Sequence, residues 1–324
     1  FYKIHVNYLK MEKKAGKLGF GEGVLEAGEK YSNLVVLGAD ITASVGLDLF
    51  KSKYPDRFYS FGIAEQNIAA TAAGMALSGL LPVFSTYGVF AAFRCADQVR
   101  TSICYNNAKV IIGGAHAGIS VGPDGATHQA LEDLAVMRSL PNMTVLSPCD
   151  ANQTKNLLLA AIEQVNGPVY IRFGREPMPN FSDKNIIPQI GRAQVLRNGW
   201  DIAIMATGSL VWESLKAANF LYKNYKIDAA VVNIHTIKPI DVDTISYIAK
   251  QCKFIITAEE HQKFGGLFSA VSEVCSEYYP VPIKPIAMND RFGESGKPSQ
   301  LMNYFGFTSE NIVNTALNMI KRWK

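Results

Sequence analysis

The five cysteines, Cys95, Cys104, Cys149, Cys252 and Cys275, are odd in number and scattered, and no CxxC pair occurs. Neither a disulfide framework nor a zinc site is suggested, and reduced thiols in a cytoplasmic protein are expected. No apolar run reaches the ~20 residues that span a bilayer, and no stretch reads as a signal peptide. Charge of one sign is scarce. Against 28 acidic residues stand 32 Lys and Arg, which leaves +4 with no basic block, so a nucleic-acid surface is not indicated. Repeats and low-complexity tracts are missing as well. The glycines of "GFGEGVLEAG" (Gly19–Gly28) have the wrong spacing for a GxGxxG turn and follow no strong strand. "GESGKPS" (Gly293–Ser299) is no Walker A loop, because its glycines are too close and Pro298 follows the lysine.

What is present is apolar material in a regular order. The 324 residues are 48% hydrophobic, enough for sizeable cores and two domains. Short β-rich runs ("LVVLGAD", "RFYSFG", "PVFSTY", "KVIIGGA", "TVLSP", "VYIRF") alternate with helical stretches near Leu47–Lys53, Ala64–Leu80, Phe90–Tyr105, Gln129–Ser139 and Asn152–Gln164. Unalternating apolar strands between helices predict a parallel sheet covered on both faces. Glu176 to Trp200 carries Pro177, Pro179, Pro188, Asn180 and Gly191 with little periodicity, so residues 179–198 read as a linker, with a hairpin expected around "GRAQVLRNG". A second alternation follows from "DIAIMATGS" onward. The expected fold is therefore α/β with two doubly wound domains, a mainly parallel-sheet domain over 1–178 and a smaller one over 199–324. Ligands of such sheets bind beyond the carboxyl ends of the strands. Those ends carry Asp40–Ser44, Gly62–Glu65, Thr86–Phe93, Gly113–His128 and Gly174–Arg175, which should converge on one edge.

Four stretches carry candidate chemistry. In "YSFGIAEQNIAATAAGMA", Glu65 opens an Ala-rich helix. A carboxylate there complements the helix dipole, which is the structural reading. The small-faced helix should also pack closely and leave its first turn dry, and a buried acid suits proton handling. Tyr87, Phe90 and Phe93 fall at i, i+3, i+6, either as a core stripe or as a wall for a planar ring. "GGAHAGISVGPDGATHQALED" is too elaborate for a simple connection. Its His116 and His128 could shuttle protons or donate hydrogen bonds to a polar substrate; a metal pair is the weaker option because no third ligand is evident. Arg172 and Arg175 in "IRFGREP" could be a surface ion pair and a phosphate grip.

Taken together, "DRFYSFGIAEQN", "FSTYGVFAAF…DQVR", "GISVGPDGATHQALEDLAVMRSLPN", "TIKPID" and "RFGESGKPSQLM" resemble transketolase. The resemblance runs along the whole chain but covers only the C-terminal half or so of a full-length member, the pyrimidine-binding and C-terminal domains. The GDG…NN signature that holds thiamine diphosphate through Mg²⁺ is absent, and "YNN" at Tyr105–Asn107 has no GDG upstream. The resemblance thus implies the small subunit of a split enzyme. A larger N-terminal subunit would carry GDG…NN and the metal, the two chains would form an α2β2 heterotetramer, and no metal ligand is expected here.

The same resemblance assigns roles. Glu65 matches the glutamate that hydrogen-bonds the aminopyrimidine ring and favours the tautomer able to take the thiazolium proton. Tyr87 and Phe90 match aromatics that flank the pyrimidine. Phe93 is placed with them, in a stretch one residue longer than in relatives. His116, Arg175 and Ser44 match contacts to sugar phosphate, Asp124 a contact to the hydroxyl beside the carbonyl, and His128 a histidine near the reacting carbon. Lys17 stands where relatives often carry a phosphate-binding arginine, and loses the bidentate fork. Pro123 replaces a common acidic residue. The implied reaction is transfer of a two-carbon ketol unit from a ketose phosphate to an aldose. The alternatives are a 2-oxoacid dehydrogenase E1 β-subunit, disfavoured by "DGATHQALED" and "SGKPSQLM", and a non-catalytic paralogue.

Overall fold

The computed structural model describes residues 11–322. Its strands are β1 (Lys13–Ala15), β2 (Leu34–Gly38), β3 (Phe58–Ser60), β4 (Leu81–Tyr87), β5 (Ile111–Ala115), β6 (Thr144–Leu146), β7 (Val169–Arg172), β8 (Pro177–Pro179), β9 (Gln194–Arg197), β10 (Ile202–Ala206), β11 (Ala229–Asn233), β12 (Thr236–Lys238), β13 (Ile255–Gln262) and β14 (Ile283–Met288). A seven-stranded sheet runs β12-β6-β7-β5-β4-β2-β3, and a five-stranded sheet runs β14-β13-β10-β11-β9. Within each sheet the pairs are parallel, except that β12 lies antiparallel to β6 and β9 antiparallel to β11. β1 and β8 form a separate antiparallel ribbon.

The apolar runs do not alternate because both faces of the large sheet are covered. On β2, Leu34 and Val36 pack to one face with Phe20, Val24 and Leu157, from the helices Gly16–Lys30 and Ala151–Gln164. Val35 and Leu37 pack to the other with Ile68, Phe84 and Ile112. That second core continues into Ala203, Met205 and Val232 of the smaller sheet, so one hydrophobic cluster crosses from sheet to sheet. The remaining core closes the far face of the small sheet, around Ile204, Phe254 and Leu221. All five cysteines are buried and unbridged.

Three details depart from the sequence reading. The glycine-rich stretch 19–28 is a helix, Gly16–Lys30, whose glycines permit close approach. A Cβ on Gly19 would sit 2.0 Å from the Ala151 carbonyl oxygen, and one on Gly21 would sit 2.0 Å from that of Gly46. The expected hairpin in 191–199 is a single strand, β9, whose partner is β11 and not a neighbouring segment. The helix expected over Phe90–Tyr105 is broken. Gly88–Phe93 ends at Arg94, a short turn Ala96–Gln98 follows, and Val99–Cys104 is a π-helical turn.

The segment 179–198 is pinned to the helix Ala151–Gln164. The Asn156 amide donates to the carbonyls of Asp183, Lys184 and Ile186, and the Asp150 carboxylate accepts from the backbone amides of Phe181 and Ser182. No described helix is long and apolar enough to cross a membrane.

Candidate active site

The parallel strands β2, β3, β4, β5 and β7 end on the same edge, and each delivers one of the loops singled out in the sequence. β2 runs into the turn holding Ser44, and β3 leads through Gly62 to Glu65. β4 ends at Tyr87, β5 opens the loop 116–128, and β7 leads to Arg175. Lys17 joins from the first turn of the helix Gly16–Lys30, whose Lys17 carbonyl oxygen lies 2.1 Å from where a Cβ on Gly46 would stand. Gly46 adopts φ +82, and any larger residue there would push the Ser44 turn off this helix.

Glu65 is the first residue of the helix Glu65–Leu77 and is 5% exposed. It follows Ala64, which caps nothing, so the carboxylate sits where the helix dipole favours a negative charge. Read from the sequence alone it is a buried acid without a partner, and here the structure differs. Arg94 donates through one terminal nitrogen to both Glu65 oxygens, at 3.2 and 3.4 Å, and the Thr86 hydroxyl donates at 3.4 Å. The Arg94 guanidinium lies over the Phe90 ring, 3.7 Å from its centre. Arg94 falls four residues after Phe90, which puts both on one side of a helical turn. That aromatic–cation spacing is the signal of the pair that the sequence holds, beyond the aromatics themselves.

Next to this pair is an aromatic cluster. Tyr87 stacks with Phe90 at 5.8 Å and lies 4.2 Å from the His116 ring. His128 meets Tyr87 and Phe90 edge-on, at 5.9 and 5.4 Å. Phe93, 50% exposed, stands outside these contacts. The i, i+3, i+6 stripe therefore splits, because the first two rings face the sheet edge and the third turns to solvent.

His116 is buried, at φ +53, and its Nδ1 has no hydrogen-bond partner. Burial pushes its pKa down to about 4, and the charges of Arg175 and Lys17 push the same way. The ring is thus neutral at ordinary pH, with a buried and unpartnered Nδ1 inside a positive field. Arg175 donates to the Asp124 carboxylate at 3.2 Å and to the Val121 carbonyl at 3.3 Å. The His128 Nδ1 lies 2.9 Å from the Thr127 hydroxyl. Glu65, Tyr87, Phe90, His116, Asp124, His128, Lys17 and Arg175 are accordingly gathered at one edge, with the Ser44 turn alongside. Arg172 is neither a surface pair nor a phosphate grip. It is buried, bonded to Asp133 at 2.9 Å, and it donates to the backbone oxygens of Ala130 and Glu260.

The loop 116–128 is held from the second domain, a support with no motif in the sequence. The Glu260 carboxylate accepts from the Ser120 backbone amide at 2.6 Å and from the Ser209 hydroxyl at 2.7 Å. Gln129 donates to the carbonyls of Ile119 and Glu294. Gly122, at φ +82, faces Pro298 so closely that a Cβ would stand 2.9 Å from it. Among the described residues no group of three or more His, Cys, Asp or Glu side chains is clustered as a metal would require.

Residues 12–180 match the transketolase pyrimidine binding domain, and residues 191–312 match the transketolase C-terminal domain. The chain belongs to the transketolase family. A putative transketolase C-terminal section of Methanocaldococcus jannaschii is 39% identical over 95% of this chain and 97% of that protein. A 6-deoxy-6-sulfo-D-fructose transketolase subunit of a Clostridium species is 37% identical over 92% of each chain. One of the apulose-4-phosphate transketolase subunits of Phocaeicola vulgatus is 34% identical over 95% of this chain and 98% of its own. Among solved structures, a split gene transketolase described as an inactive β4 tetramer superposes with a TM-score of 0.89 at 41% identity, over 96% of this chain and 99% of that one. The Campylobacter jejuni transketolase shares the fold at a TM-score of 0.79 and 23% identity, with this chain covering 48% of its length.

Proposed function

We propose that this chain is the small subunit of a split transketolase that moves a two-carbon ketol unit from a ketose phosphate to an aldose, using thiamine diphosphate. The observation that carries the reading is the Glu65 carboxylate, buried at a helix start on the carboxyl edge of the sheet, beside a ring that already holds a flat cation against it. A site that accepts a guanidinium by stacking on Phe90 and bonding to Glu65 has the shape and polarity an aminopyrimidine needs. When bound, the cofactor supplies a carbanion and an electron sink for the two-carbon unit.

The residues of this chain do the rest. Glu65, sheltered from bulk water, holds a hydrogen bond to the ring nitrogen and keeps the proton shared with it. Tyr87 and Phe90 wall the ring. Neutral His116, with Lys17 and Arg175 as the positive field around it, holds the sugar phosphate. Asp124 faces the hydroxyl beside the carbonyl, and His128 lies near the reacting carbon. The diphosphate and Mg²⁺ fall to a larger partner carrying GDG…NN, in an α2β2 assembly with its home in the cytoplasm. The domain limits 1–178, 179–198 and 199–324 belong to the same proposal.

The test is reconstitution. The chain mixed with the larger subunit, thiamine diphosphate and Mg²⁺ should transfer ketol units, and alone it should be silent. Glu65→Gln should fold and assemble but lose about 10²–10⁴ in rate. Full activity of that variant would remove Glu65 from the chemistry. Pyruvate decarboxylation by the reconstituted pair, without ketol transfer, would favour a 2-oxoacid dehydrogenase instead.

A further inference from the structure

Arg94 makes both of the contacts that a pyrimidine at this site would make. Its guanidinium is flat, lies 3.7 Å from the centre of the Phe90 ring, and directs a nitrogen to both Glu65 oxygens at 3.2 and 3.4 Å. An aminopyrimidine is also flat and also stacks on a π-face, and its ring nitrogen, once it shares a proton with Glu65, also makes an N–H bond to that carboxylate. One ring face and one carboxylate cannot serve both at once. The Arg94 side chain is 47% exposed and Glu65 is 5% exposed. The arginine can therefore leave into water without unpacking a core, whereas the carboxylate cannot follow it.

We infer that Arg94 is a built-in stand-in for the cofactor ring: it closes the Glu65–Phe90 slot in the unloaded subunit and must swing out when thiamine diphosphate binds. This rests on the cofactor reading above. Without Arg94, the nearly buried carboxylate would keep only the Thr86 hydroxyl at 3.4 Å, and a buried charge left that way destabilises the fold. The arginine thus stabilises the free chain until a partner and its diphosphate site arrive. The same contact makes the binding-competent state a fraction of the population and weakens apparent cofactor affinity by that fraction.

The experiment is titration calorimetry of thiamine diphosphate, with Mg²⁺, into the assembled complex, together with melting of the isolated subunit. Wild type is compared with Arg94→Ala, Arg94→Gln and Arg94→Lys, and with Arg100→Ala as an exposed control. Arg94→Ala and Arg94→Gln should lower the Kd by about five- to tenfold and lower the Tm of the free subunit by about 2–4 °C. Arg94→Lys keeps the charge but not the plane, so it should hold most of the Tm and still bind cofactor more tightly. Arg100→Ala should change neither. Unchanged or weaker cofactor binding in folded Arg94 variants overturns the stand-in, and weaker binding would make Arg94 a cofactor ligand. If Arg94→Ala fails to fold, the Gln and Lys variants decide. Wild-type complex that binds no thiamine diphosphate removes the cofactor reading and this inference together, whereas equal binding by all variants removes only the inference.

Discussion

The two sheets of this chain present the same kind of edge and use it in opposite ways. In the large sheet, the carboxyl ends of β2, β3, β4, β5 and β7 open into loops that carry Glu65, Asp124, His116, His128, Tyr87, Phe90 and Arg175. In the small sheet, the equivalent ends are taken up by the neighbouring domain. After β10, the Thr207 hydroxyl donates to the Ser147 carbonyl. After β11, the His235 carbonyl accepts from the Ser147 amide. On β13, Glu260 holds Ser120 and the Gln262 amide bonds to the Leu131 carbonyl. A parallel sheet leaves polar groups at this edge that need partners. One sheet leaves them in open loops, and the other turns them into a clamp that fixes the first sheet's loop 116–128.

Four outcomes would break or sharpen that contrast. The largest effect is expected at Arg175. In the reconstituted enzyme, Arg175→Ala should raise KM for a phosphorylated sugar by about 10–100-fold while an unphosphorylated one changes little, read by steady-state kinetics. Next is the clamp. Glu260→Ala removes an acceptor from two half-buried donors and should cost about 1–2 kcal/mol in denaturant unfolding. It should also speed amide exchange at Ser120, and unchanged exchange would mean the loop holds itself.

The third outcome concerns pH. Burial pushes His116, His235 and His261 down to about 4 from 6.5, so between those values the unfolded chain binds protons that the folded chain refuses. Stability should then fall as pH drops from 6.5 towards 4. Glu259, pushed up to about 7 by burial, opposes this, because its contribution is lost as pH rises through 7. Glu132, also raised by burial, opposes in the same sense. With three imidazoles against two carboxyls, melting temperature measured across pH should still decline on the acid side. The smallest effect is expected at Phe93. Phe93→Ala should cost less than about 0.5 kcal/mol and leave cofactor affinity unchanged, which would separate this exposed ring from Tyr87 and Phe90.

The first sheet and its edge are legible because parallel strands announce themselves as unbroken apolar runs and their loops by glycine and titratable residues. Glu65, His116 and Asp124 can be pointed to before any coordinates. Arg94 is harder to see: its i, i+4 spacing from Phe90 is in the sequence, but its bond to Glu65, 29 residues earlier, depends on the sheet that brings the two helix starts together. Glu260 is hidden for a different reason. "TAEEHQ" looks like the end of a strand, and nothing local says that one carboxylate reaches a backbone amide 140 residues earlier. The helix at 16–30 escapes notice because five glycines argue against a helix on propensity. Packing against Ala151 and Gly46 requires glycine at two of those positions, and tertiary contact outweighs propensity.

β12 contributes to a sheet otherwise built wholly from residues before 173. A chimera that exchanged everything after the connecting strap would bring in a foreign edge strand for β6, along with a foreign small domain. The two halves can be traded between relatives only as a matched pair, or with the strand Thr236–Lys238 grafted back.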